Sequence, residues 1–131
     1  MSSFIYRNDG PDTNQTVYTV AFHNGYWLMV WNPHRKGWEM PGGHVKEGES
    51  RLLAAKREFR EESGFDVDIR DVHDLGYCYV FAGFLGDQVT GVYEMLPKLF
   101  DEIPEHLSFT RKEYEEVVPW ARDALFGTPL N

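Results

Sequence analysis

The 131-residue sequence predicts an α/β fold, a three-layer α/β/α sandwich around a mixed β-sheet, in one domain over residues 1–131. Three observations lead there. Strand-like runs alternate with two helical segments. A glycine-rich stretch feeds a capped helix in the middle of the chain. A content of 42% hydrophobic and 15% aromatic residues supplies the apolar surface for one core.

Residues 1–14 hold Asn8, Asp9, Gly10, Pro11, Asp12 and Asn14 and read as an irregular lead-in. Val17 to Phe22 forms a strand, His23-Asn24-Gly25 carries the Asn-Gly hairpin signal, and Tyr26 to Trp31 returns as a second strand. A basic loop, Asn32 to Gly37, follows. Gly42 to Phe65 then reads as a glycine loop running into a helix from Arg51 to Ser63, with Ser50 as N-cap and Gly64 as stop. Leu52, Ala55 and Phe59 form its buried face, and Leu53 lies apart. Val67 to Leu75 and Tyr77 to Gly83 are strands, and Leu85 to Gln88 is a turn. Val89 to Met95 and Lys98 to Phe100 continue the sheet around Pro97. Thr110-Arg111-Lys112-Glu113 is a capping box opening a second helix, which Pro119 ends or kinks before Gly127.

The formal charge of −8 opposes binding to a nucleic-acid polymer but leaves room for a small phosphorylated ligand screened by metal ions. The single cysteine, Cys78, excludes an internal disulfide and reads as a core residue. With no signal peptide and no apolar run of membrane-spanning length, a cytoplasmic protein without membrane contact is expected.

At about 100° per residue, Glu58, Glu61 and Glu62 share one helical face. Carboxylates at i, i+3 and i+4 repel, and two of them sit at the negative end of the helix dipole. A hard divalent cation relieves this arrangement, since dense carboxylate oxygens are what Mg²⁺ takes. On the three glutamates alone, a solvated acidic face countered by Lys56, Arg57 and Arg60 is the favoured reading.

The spacing of the whole stretch reverses that preference. Gly43, five residues, Glu49, seven residues, and Arg57-Glu58-Phe59-Arg60-Glu61-Glu62-Ser63-Gly64-Phe65 resemble the Nudix box with every polar and glycine position filled. Phe59, at a usually aliphatic position, is the one departure within it. The resemblance implies a Nudix-type sandwich and a Mg²⁺-dependent pyrophosphohydrolase, with Mn²⁺ as a substitute ion. By matched position it implies metal ligation by the Gly42 carbonyl, Glu58, Glu61 and Glu62, with Glu58 the first choice as base. Arg57 is expected to hold a glutamate, and Glu49 to anchor the loop. Glu94 is a candidate for a further carboxylate ligand from beyond the helix.

Gly43 and His44 are candidate phosphate contacts. His44 stands where MutT-like relatives often have lysine, which implies a weaker, pH-dependent contact. Trp38 and Trp120 are candidates for the wall that stacks a nucleobase. The leading expectation is hydrolysis of a nucleoside triphosphate, normal or oxidised, to monophosphate and pyrophosphate. ADP-ribose, a nucleotide sugar or a dinucleoside polyphosphate are the alternatives, with a non-catalytic nucleotide sensor behind them. The partner is a small nucleotide, and both monomer and homodimer stay open.

Overall fold

Asn24 and Gly25 adopt φ of 51° and 83°, the paired positive values that a two-residue hairpin turn demands. They join β1 (Thr16–His23) to β2 (Tyr26–Asn32). The structure, a computed structural model, describes residues 15–127, so the expected lead-in over 1–14 lies outside the described residues. Next come β3 (Gly37–Glu39), β4 (Gly42–His44), α1 (Arg51–Ser63), β5 (Phe65–Asp74), β6 (Cys78–Gln88), β7 (Leu96–Phe100) and α2 (Arg111–Phe126).

The seven strands form one mixed sheet in the order β3-β2-β1-β6-β5, with β4 on β1, β7 on β2, and β1 parallel to β6. Alternation along the strands divides the core into two layers. Val20, Phe22, Trp27, Met29, Val80 and Ala82 pack against Tyr114, Val117, Val118 and Ala121 of α2. Val17, Ala21, Leu28, Val30, Tyr79 and Phe81 face the side of α1, with Ala54, Ala55 and Phe59. The α/β/α sandwich on a mixed sheet is therefore the architecture.

β1 and β2 pair with each other only at their hairpin end, through Phe22↔Trp27 and His23↔Tyr26. Beyond it β3 continues along β2 at Val30 to Asn32, while β4 continues along β1 at Thr16 to Tyr18. Met40 and Pro41 carry the chain between these two branches, directly before the glycine loop.

Several local expectations are corrected. Leu85 to Gln88 is not a turn, because it completes β6 against β5 as far as Phe65↔Gln88. Val89 to Met95 is not a strand. Its backbone caps α1 instead: the N–H groups of Val89 and Thr90 donate to the Gly64 carbonyl, Glu94 N–H to Glu61 and Met95 N–H to Glu62. Those last two acceptors are carbonyls that a helix end leaves unpaired, so tertiary satisfaction outweighs strand propensity. Leu52 is exposed, and Ala54 joins Ala55 and Phe59 in the buried stripe. The capping box does not form. Thr110 makes no side-chain cap bond, and the Glu113 carboxylate instead accepts hydrogen bonds from the hydroxyls of Tyr18 and Tyr77. Pro97 lies inside β7, an edge strand where a missing N–H is tolerated.

Pro119 neither ends α2 nor starts a new helix; it sits within one helix that continues to Phe126. Val117, Val118 and Ala121 on either side of it are buried, and that packing holds the helix through the missing hydrogen bond. Among the described residues no helix is long and apolar enough to cross a membrane.

An interior proline costs about 3 kcal/mol of helix stability, partly offset by the stiffness it gives the unfolded chain. Pro119 is exposed, so Pro119→Ala is expected to stabilise the fold by about 1–2 kcal/mol, read as a higher urea midpoint at unchanged slope.

Candidate active site

Ser50 starts α1 by accepting the Leu53 N–H at 3.1 Å, and Gly64 ends it at φ 84°. Ala55 and Phe59 fix which way the helix faces. At about 100° per residue Glu62 lies nearest to that buried stripe, Glu58 next and Glu61 furthest. Their exposure follows: Glu62 is 6% exposed, and the side chains of Glu58 and Glu61 are 16% and 41% exposed. Helix phase sets this order of exposure, and the packing around α1 turns it into three different environments.

Two glycines let the loop approach these carboxylates, for different reasons. A Cβ on Gly42 would fall 2.2 Å from the Val17 carbonyl oxygen and 2.5 Å from Tyr18 Cβ, so β1 itself excludes a side chain there. A Cβ on Gly43 would fall 2.4 Å from the Glu58 carboxyl carbon, so this glycine leaves room for the carboxylate. The Gly42 N–H donates to Glu62 Oε1 at 3.0 Å.

Arg57 is the cation of the site. Its guanidinium donates to both oxygens of Glu49 (2.7 and 2.9 Å), to Glu58 (3.0 Å), to Glu61 (3.2 Å) and to the His44 carbonyl (3.2 Å). Glu49 also accepts the Lys46 N–H at 3.0 Å, closing the loop on itself. The Arg57 hydrogen bonds hold the Glu49 carboxyl down to about pKa 2, and in return Glu49 holds the Arg57 pKa up.

Glu62 differs. Burial, opposed by the Gly42 amide and reinforced by the charges of Glu58, Glu39 and Glu94, pushes its pKa up to about 8. Burial also raises that of Glu58, against the Arg57 hydrogen bond and with the help of Glu61 and Glu94. These are carboxylates held at one another's expense, with hard oxygen donors and too little positive charge among them. Such a donor set suits a divalent cation. Among the described residues, however, no three His, Cys, Asp or Glu side chains already converge on one point as a ready metal site. Arg57 engages Glu58 and Glu61, and one Glu62 oxygen is committed to Gly42.

Glu94 arrives from the 89–95 segment, anchored by its own N–H to the Glu61 carbonyl at 3.0 Å. His44 is exposed at the end of β4. Trp38 lies on the α2 face of β3, with its ring 5.3 Å from that of Trp31 and 4.8 Å from that of Phe100, and with the Lys98 ammonium 6.0 Å from its centre. Trp120 rests against His73 of β5 at 5.3 Å. Phe100, beside Trp38, lies on edge strand β7 and His73, beside Trp120, on edge strand β5, so the two tryptophans rest against opposite edges of the sheet and do not wall one pocket. A groove of about 460 Å³, lined by Leu28, Phe65, Tyr93, Leu96 and Leu99 among others, includes none of the glutamates.

Sequence reasoning missed Glu39. It is 5% exposed, takes Arg35 at 3.2 Å as its ion-pair partner, and adds its charge to the environment of Glu62. The available signal was a charged residue between Trp38 and Met40 directly ahead of the glycine loop.

The NUDIX domain family matches residues 12–123 of this chain. The chain belongs to the Nudix hydrolase family. It is 32% identical over 119 residues to YtkD of Bacillus subtilis (strain 168), named as an 8-oxo-dGTP diphosphatase, covering 77% of this chain and 71% of that one. Its fold resembles that of the B. subtilis pyrophosphohydrolase BsRppH, with a TM-score of 0.63 and 24% identity over 87% of this chain and 82% of that one. It also resembles an ADP-ribose pyrophosphatase from Streptococcus suis 89-1591, with a TM-score of 0.71 and 19% identity over 91% and 96% of the two chains. In this Nudix chain the box supplies α1 and the loop before it, while Glu39 and Glu94 come from outside it.

Two outcomes follow for the Nudix carboxylates. Glu62 keeps a proton in the folded state that the unfolded chain gives up at the ordinary carboxylate value of 4.5. Its contribution to stability is complete below that pH and is lost as pH rises towards about 8. Urea unfolding of the metal-free protein should show that decline, and Glu62→Gln should flatten it. Gly43→Ala should fold, because the obstructing atoms end a flexible side chain, but displace Glu58 and reduce turnover at least tenfold; wild-type turnover would sink this account of Gly43.

Proposed function

We propose that this chain is a Mg²⁺-dependent pyrophosphohydrolase that cleaves nucleoside triphosphates, normal or oxidised, to the monophosphate and pyrophosphate. The observation that carries this reading is the pairing of a buried Glu62 and a half-buried Glu58, both with raised pKa, against the Gly42-Gly43 backbone. Ionising both members of such a pair is costly unless positive charge arrives with the ligand.

Glu58, Glu61, Glu62, Glu94 and the Gly42 carbonyl are the proposed holders of Mg²⁺, for which Mn²⁺ substitutes. When bound, the ion offsets charge on the diphosphate and makes an attacking water more acidic. Arg57 spans Glu58 and Glu61 and orients them, acting on the reaction through those carboxylates. Glu58 is the proposed base: its raised pKa brings it closer to neutral pH than an ordinary carboxylate, which favours proton uptake in the transition state. The Gly43 amide and His44 are proposed phosphate contacts.

Trp38 is the proposed stacking surface for the nucleobase, because its ring gathers with those of Trp31 and Phe100 and with the Lys98 ammonium on the strand directly ahead of the Met40–Gly42 backbone. Trp120, against the other edge of the sheet, has no such neighbours and makes a suitable control. The name of the YtkD relative supports a nucleoside triphosphate over the nucleotide-sugar and dinucleotide alternatives.

The experiment is pyrophosphate release measured across normal and oxidised nucleoside triphosphates, ADP-ribose and dinucleoside polyphosphates. Turnover on triphosphates is expected, falling by about 10²–10⁴ in Glu58→Gln and Glu62→Gln. Trp38→Ala should raise KM far more than Trp120→Ala. Undiminished turnover in both glutamine variants would remove the site assignment, and no turnover across the panel would leave a sensor.

A further inference from the structure

The first turns of α2 touch the glycine loop from the far side of the sheet. Tyr114 is 2% exposed, and its hydroxyl accepts the Met40 N–H at 3.3 Å. One residue on, the Pro41 carbonyl takes the Thr19 N–H at 3.1 Å, and the Gly42 N–H then donates to Glu62 at 3.0 Å. Three successive residues are therefore pinned to three different elements: Met40 to α2, Pro41 to β1 and Gly42 to α1.

The Tyr114 ring is itself braced. Tyr18, whose Cα pairs with that of Gly42 across β1 and β4, meets Tyr114 edge-on with ring centres 6.0 Å apart. Its hydroxyl donates to Glu113 at 2.6 Å, and the Tyr77 hydroxyl donates to the same carboxylate. Packing alone does not call for this. A phenylalanine at 114 would fill the same volume without burying a hydroxyl, and burying one is unfavourable unless it is bonded. Without the hydroxyl, the Met40 N–H would lose the partner it has here.

We infer that Tyr114, braced by Tyr18 and Glu113, is a positioning residue for the metal-binding loop, setting where the Met40–Gly42 backbone sits and hence how Gly42 meets Glu62. The inference rests on the reading of Glu58, Glu61 and Glu62 as a magnesium site. α2 supplies no group to that face of the sheet; its effect passes through backbone.

The test is Tyr114→Phe, which keeps the ring and removes the hydroxyl. Losing a partner behind a metal ligand typically costs 10–100-fold in metal affinity or activity. The Mg²⁺ concentration for half-maximal turnover should therefore rise about tenfold or more, with nucleotide KM at saturating Mg²⁺ within about twofold of wild type. A titration without nucleotide supplies a readout independent of activity: the rise in unfolding midpoint caused by Mg²⁺ should need correspondingly more ion in the variant. Tyr18→Phe, which loosens only the brace, should move both readouts in the same direction by less, and it serves if Tyr114→Phe does not fold. Wild-type magnesium dependence in Tyr114→Phe, or in Tyr18→Phe where it stands in, would overturn the inference alone. Wild-type protein with no magnesium response in either readout would overturn the metal reading and the inference together.

Discussion

Arg57 is the interaction around which the acidic face is arranged. One guanidinium makes five hydrogen bonds, to Glu49 twice, to Glu58, to Glu61 and to the His44 carbonyl. It thereby joins the loop before α1 to the helix's own surface. Carboxylates three and four positions apart repel on a bare helix, and the bond that one guanidinium nitrogen makes to each of Glu58 and Glu61 offsets part of that repulsion. The neutralisation is uneven. Glu49 is held as a carboxylate far below its ordinary pKa, whereas Glu62, which Arg57 does not reach, is pushed to about 8. One cation thus separates a carboxylate that anchors the loop from one left without a cationic partner of its own among the described contacts.

The sheet decides where that arrangement lies. Because β1 and β2 separate after a short hairpin pairing, the chain can pass between their branches at Met40 and Pro41 and present Gly42 and Gly43 to α1. Tyr114 of α2 reaches the same passage at Met40, Glu39 of β3 adds its charge to that around Glu62, and the 89–95 segment is hydrogen-bonded to the end of α1. Residues far apart in sequence therefore meet around the glycine loop and the end of α1.

Much of this was legible from residue order. The hairpin turn, the Ser50 cap, the Gly64 stop and the bounds of α1 follow from local backbone and capping preferences that act within a few residues. What misled was local signal overruled at long range. The Leu85 to Gln88 turn residues lost to pairing with β5, and the strand expected over Val89 to Met95 lost to unpaired carbonyls at the end of α1. Glu113 belongs by pattern to a capping box, yet two tyrosine hydroxyls, from β1 and from Tyr77 just before β6, claim its carboxylate. Pro119 reads as a break, and buried neighbours keep the helix whole.

By itself the sequence determined the family, the mixed α/β architecture and the glutamates that share a face of α1, because spacing along one helix and loop is a property of the chain alone. Tertiary structure decided how those glutamates differ, since burial and the charges of Glu39 and Glu94 depend on what the fold brings alongside. It also decided that Trp38 and Trp120 rest against opposite edges of the sheet, and that a phenol on α2 reaches the Met40 amide. Desolvation and long-range hydrogen bonds act through space, and residue order alone does not encode them.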